Sequence, residues 1–128
     1  MAIPDPDPPA PARTVCSALL ADLPTLVLDS ERRQVAPGGL SAAWGSPAIT
    51  LRCGVDKPAA LTPSSQCFEV NGVGWFAEAA DGGYLFTTIG RTAYVELAVP
   101  SGYAPEANAL VDVATTVSAH DPLQTPCV

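Results

Sequence analysis

Apolar and polar positions alternate between two periods along this chain, and the switches mark its elements. Between Arg13 and Leu23, the residues Cys16, Leu19, Leu20 and Leu23 recur at helical spacing and Pro24 stops the run. That predicts a helix of about three turns with Cys16 on its buried side. Ala48–Cys53 then reads with period two, Ile49, Leu51 and Cys53 opposite Thr50 and Arg52, which is a half-buried strand. Cys67–Val70 and Val73–Ala77 flank Asn71-Gly72, a strong two-residue hairpin signal, and Asp81-Gly82-Gly83 marks a looser reversal. Tyr84–Ile89 and Ala93–Val99 are further strands, the latter setting Val95, Leu97 and Val99 against Tyr94, Glu96 and Ala98. Glu31–Val35 is polar enough for an edge strand. A second helix starts near Pro105, with Ala107, Leu110, Val111, Ala114 and Val117 as its apolar stripe, and Asp121-Pro122 ends it.

Together these elements predict an α+β fold: an antiparallel β-meander sheet of four to five strands with N- and C-terminal helices packed on one face. Residues 1–12 are rich in Pro, Asp and Ala and predict a disordered, solvated leader, leaving residues 13–128 as a single α+β domain. At 128 residues, 48% hydrophobic and 15% charged, the chain has the composition of one globular domain with its own core.

Charge narrows the partners. Thirteen acidic residues against six basic ones give a formal net charge of −7, which opposes a phosphate backbone and argues against nucleic acid as a partner. No stretch is long and apolar enough to predict a transmembrane segment, although the leader could act as a spacer from an upstream membrane anchor. Four cysteines (Cys16, Cys53, Cys67 and Cys127) form an even set with no Cys-x-x-Cys pair, so disulfides and an extracytoplasmic compartment are expected in preference to zinc. Of the three possible connectivities, Cys53–Cys67 is expected because both residues should lie near facing ends of neighbouring strands. That leaves Cys16–Cys127 to tie the termini together.

Few residues point to chemistry. His120 is the only histidine and has no sequence-designated nucleophile or carboxylate beside it. Glu69, Glu78 and Glu96 fall on different strands, and no phosphate-cradling loop or nucleophile elbow occurs. No catalytic residue, metal site or cofactor is therefore assigned. Arg52 sits at a strand position and Arg91 at a tight turn, each among small or apolar residues. Arg52 is expected to pair with Glu69 or Glu96 across the sheet. Alternatively, Arg52 and Arg91 would grip a carboxylate or phosphate with Trp44, Trp75 or Tyr94 stacked beside them, and Trp44, Arg52, Trp75 and Arg91 form the predicted binding patch. For both tryptophans, membership of the core is the competing expectation.

The phrases Ala43-Trp44-Gly45-Ser46-Pro47-Ala48-Ile49-Thr50-Leu51-Arg52-Cys53-Gly54-Val55, Asn71-Gly72-Val73-Gly74-Trp75, Phe86-Thr87-Thr88-Ile89-Gly90-Arg91 and Tyr94-Val95-Glu96 occur in this order. In them the chain resembles domain-of-unknown-function family 3515, actinobacterial secreted proteins and lipoproteins, from about Cys16 to Cys127. The resemblance implies an envelope location and paired cysteines, and supplies no activity. The expected function is a non-enzymatic cell-envelope binding or interaction module whose partner is an envelope protein or a small anionic ligand. A small hydrolase of cell-wall sugar or peptide, using a glutamate and His120, and a structural accessory subunit are the alternatives.

Overall fold

The structure, a computed structural model, describes residues 1–127. Helix α1 (Ala10–Ala21) is followed by four strands: β1 (Leu26–Val27), β2 (Ser30–Arg33), β3 (Ser41–Trp44) and β4 (Ile49–Cys53). After a long loop come β5 (Phe68–Val70), β6 (Val73–Ala80), β7 (Gly83–Thr88) and β8 (Val95–Pro100). Short 3-10 turns at Ser101–Tyr103 and Glu106–Asn108 lead into helix α2 (Ala109–His120). The architecture is α+β with a helix toward each end, but the antiparallel sheet has eight strands where four to five are expected.

β1 and β3, the strands that sequence periodicity does not reveal, escape it for different physical reasons. In β3 all four residues are buried, so no period-two alternation marks it. Ala42 and Trp44 face the main core, while the Ser41 hydroxyl donates a 3.0 Å hydrogen bond to Asp5 Oδ1 in the N-terminal segment. β1 is only two residues long and offers too few positions for a period to show. β4 and β8 alternate buried and half-buried residues along their length, as their sequences predict.

The sheet order is β1-β2-β3-β4-β8-β7-β6-β5, which is not a simple meander. After β4 the chain crosses to the far edge and returns inward, so β8 pairs with both β4 and β7. This crossing corrects the expected disulfides. The bonds are Cys16–Cys53 and Cys67–Cys127, not Cys53–Cys67 and Cys16–Cys127. With three strands between β4 and β5, Cys53 and Cys67 are about 19 Å apart at roughly 4.8 Å per strand spacing, far beyond disulfide reach. Instead, α1 lays Cys16 on the inward side of β4, and the C-terminal tail brings Cys127 to the start of β5. There the bond crosses Gly74, where a methyl group would collide with both sulfurs.

One core unites α1, the inward face of the sheet and α2, with Trp44, Trp75, Leu19, Ile49, Leu51 and Leu97 its largest fully buried side chains. The buried stripe of α2 is Leu110, Val113, Ala114 and Val117. Val111, expected on that stripe, is 50% exposed because it lies about 100° round the helix from Leu110. The Pro-rich N-terminal residues are extended and lie against the domain. Ile3 is buried, its N–H donates to Ala36 O, and the Ala36 N–H donates back to Met1 O.

Candidate functional site: an aromatic groove

The residues singled out from sequence do not form a common exposed patch. Trp44 and Trp75 are both fully buried in the core, which corrects the expectation that they stack beside an exposed ligand. Trp44 donates its indole N–H to Pro24 O at 3.0 Å, and the Arg32 guanidinium lies 5.5 Å over its ring. The buried Trp75 indole nitrogen has no hydrogen-bond partner among the described residues.

Arg52 faces Glu96 across β4 and β8, with Nη1 3.8 Å from Glu96 Oε1, and its Nε–H donates to Pro4 O. Of the two carboxylates expected as its partner, the sheet brings it Glu96. Burial pushes the Glu96 carboxyl above its ordinary pKa; Arg52 pulls it back, and Glu78 on the same face adds to the rise. Arg91 is a bolt between elements. Its guanidinium donates to Asp121 O at 2.7 Å and to Gly72 O at 3.2 Å, tying the end of α2 to the β5–β6 turn. Beside it the fully buried Asp121 accepts from the Ala93 N–H at 2.9 Å through Oδ1, while Oδ2 has no partner among the described residues. Burial raises the Asp121 pKa to about 6, against the opposing pull of that hydrogen bond and of Arg91. His120 is paired with Asp22 at 2.8 Å, an ion pair when the imidazole is protonated, and not with Glu69, Glu78 or Glu96.

The open, apolar surface lies elsewhere. Two tight turns set its register. Asn71 and Gly72 both adopt positive φ, 49° and 84°, which is the type I′ geometry that matches strand twist, and Val70 pairs with Val73 across them. Asp81-Gly82 closes β6 on β7 with Ala80 opposite Gly83. Counting back from these turns places Phe68 opposite Trp75, Ala77 opposite Phe86 and Ala79 opposite Tyr84. Directly opposed residues share a face, so Phe68, Tyr84 and Phe86 continue the core face beyond the helices, with two alanine methyls between them.

The result is a groove of about 460 Å³, walled by Phe68, Tyr84 and Phe86, floored at Ala77, and closed on one flank by Pro105–Ala107. Phe68 is 44% and Tyr84 41% exposed, and the Tyr84 and Phe86 rings stack with centroids 5.8 Å apart. All three phenylalanines of the chain, including Phe76, are among the residues that line it, and Glu106 is the only charged one among the described lining residues. Sequence reading missed this site because each aromatic looks like an ordinary strand residue. The available signal was register: two adjacent two-residue turns align Phe68, Phe86 and Tyr84 on one face.

Residues 1–125 match the family described as Protein of unknown function (DUF3515), and the chain belongs to that family. No curated protein and no solved structure matches it.

Proposed function

We propose that this family member is a non-enzymatic binding module that works outside the cytoplasm and engages its partner through the aromatic groove. The observation that carries the reading is the groove itself. Large aromatics normally go inside, yet Phe68 and Tyr84 stay substantially exposed and converge on a concavity of ligand-site size. Aromatic rings at such a surface supply large contact area at low conformational cost. Glu106 is a lone carboxylate there, so the groove favours binding over a two-carboxylate hydrolysis. Two disulfides support an oxidising compartment.

The test places a photo-crosslinking amino acid at Tyr84 in the natural protein within its producing cells. A discrete adduct is expected that disappears with Phe68→Ala and is absent when the crosslinker sits at Val111, which is exposed on α2. The same adducts from both positions would count against the groove. Labelling thiols before lysis checks the compartment: four cysteines that react in cells would exclude the extracytoplasmic reading.

A further inference from the structure

The groove runs beside an unpaired stretch of sheet edge. β5 pairs with β6 only over Val73–Trp75, so Phe76–Ala80 has β7 on one side and, among the described residues, no strand on the other. The Ile89 N–H donates to Gly74 O, which fixes the alternation along β6. Gly74, Phe76, Glu78 and Ala80 turn their backbone groups toward β7; Trp75, Ala77 and Ala79 turn theirs the other way. Trp75 meets Phe68 of β5 there, but Ala77 and Ala79 meet no backbone partner among the described residues. Their N–H and C=O groups therefore stand free beside the groove. Neither lysine nor proline blocks this edge, the usual protections against strand addition.

Charge selects the occupant. From Lys57 to Arg91 the intervening chain carries Glu69, Glu78 and Asp81 and no basic residue, and Glu106 adds a further carboxylate at the groove wall. A second copy of this chain would bring the same carboxylates against themselves, and each copy has a net charge of −7. A basic segment from another protein is complementary.

Building on the groove as the binding surface, we infer that the partner is an extended, basic peptide segment that adds as a strand to β6 at Ala77 and Ala79. Its apolar side chains enter, at every second residue, the trough between Phe68 and Tyr84. Main-chain hydrogen bonds hold such a peptide and the trough reads its alternate side chains. The intervening residues turn to the opposite face of the sheet, where Glu69 and Glu78 also lie, so lysine or arginine there is favoured and binding weakens with salt.

The probe is a library of random linear peptides selected on the full, oxidised chain. Expected winners alternate bulky apolar residues with Lys or Arg. A synthetic winner should lose about tenfold or more in affinity when N-methylated at alternate residues in one register and little in the other, as backbone bonds of ordinary strength are removed. Ala79→Pro should weaken binding similarly. Its missing N–H faces the free edge, where proline is tolerated, so no ladder bond is lost. Slowed amide exchange at Ala77 and Ala79 in the complex completes the expected result. Winners insensitive to N-methylation in both registers overturn strand addition. If Phe68→Ala still abolishes their binding, the groove survives as the site. Binding untouched by Phe68→Ala rejects both. A library that yields only acidic winners or none overturns the basic-strand partner, leaving the groove to be judged by the Tyr84 crosslinks.

Discussion

Asp121→Asn should make the protein more stable at neutral pH, and the gain should vanish on acidification. Asp121 is fully buried, one carboxylate oxygen lacks a partner, and its pKa is raised from 3.8 to about 6. Between those values the folded state holds a proton that the unfolded state has released, so stability falls as pH rises through the window. Below it both states are protonated and the group contributes nothing. Above it the ionised carboxylate costs the fold about 3 kcal/mol at 1.36 kcal/mol per pKa unit. Asparagine keeps an oxygen for the Ala93 N–H and places a neutral amide where the unpartnered oxygen lies. The variant should therefore gain about 3 kcal/mol near pH 8, roughly half of that near pH 5 and little below pH 4. For a chain of 128 residues this is a Tm increase of roughly 10 °C at pH 8. Urea melts of both proteins from pH 4 to 8 measure it, and taking the difference cancels His120, Glu96 and every other shared group. A variant destabilised by a constant amount across the range would refute the reasoning. Asp121 would then act as the charged partner of Arg91, not as a desolvated burden.

The disulfides and tryptophans offer further checks. Closing sequence separations of 37 and 60 residues, each disulfide should contribute about 4 kcal/mol on the loop-entropy model. Non-reducing peptide mapping should find Cys16–Cys53 and Cys67–Cys127. Mild reductant should open the second first, because its cysteines are half-buried whereas Cys16 and Cys53 are sealed. Gly74→Ala should prevent the Cys67–Cys127 bond from closing, detected as two free thiols in the purified protein. Trp44→Phe and Trp75→Phe remove the same ring volume, but only the first breaks a hydrogen bond. Trp44→Phe should cost roughly 1–3 kcal/mol more in chemical denaturation; equal losses would mean that the Trp75 indole is satisfied in solution.

Local physics made part of this protein legible from its residues. Cys16, Leu19 and Leu20 at helical spacing, Ile49–Cys53 with period two, and Asn71-Gly72 between apolar runs each define an element by its own periodicity or turn chemistry. Tight turns also determine register, so the alignment of Phe68, Phe86 and Tyr84 was implicit before any fold was known. Composition alone made burial of both tryptophans the natural competing expectation, and they are buried.

What the residues could not declare depends on contacts between distant segments. Ser41–Trp44 is a strand without alternation because segments from elsewhere cover both its faces. The path from β4 to the far edge decides the disulfides, since strand order, not nearness in sequence, sets which sulfurs meet. Arg52 and Arg91 resemble a ligand grip until the fold shows them holding Pro4, Glu96, Gly72 and Asp121. The groove, too, exists only because α2 and the turn at Glu106–Asn108 stop short of covering the sheet. Periodicity records which side of an element is apolar; only tertiary packing decides whether another part of the chain covers it.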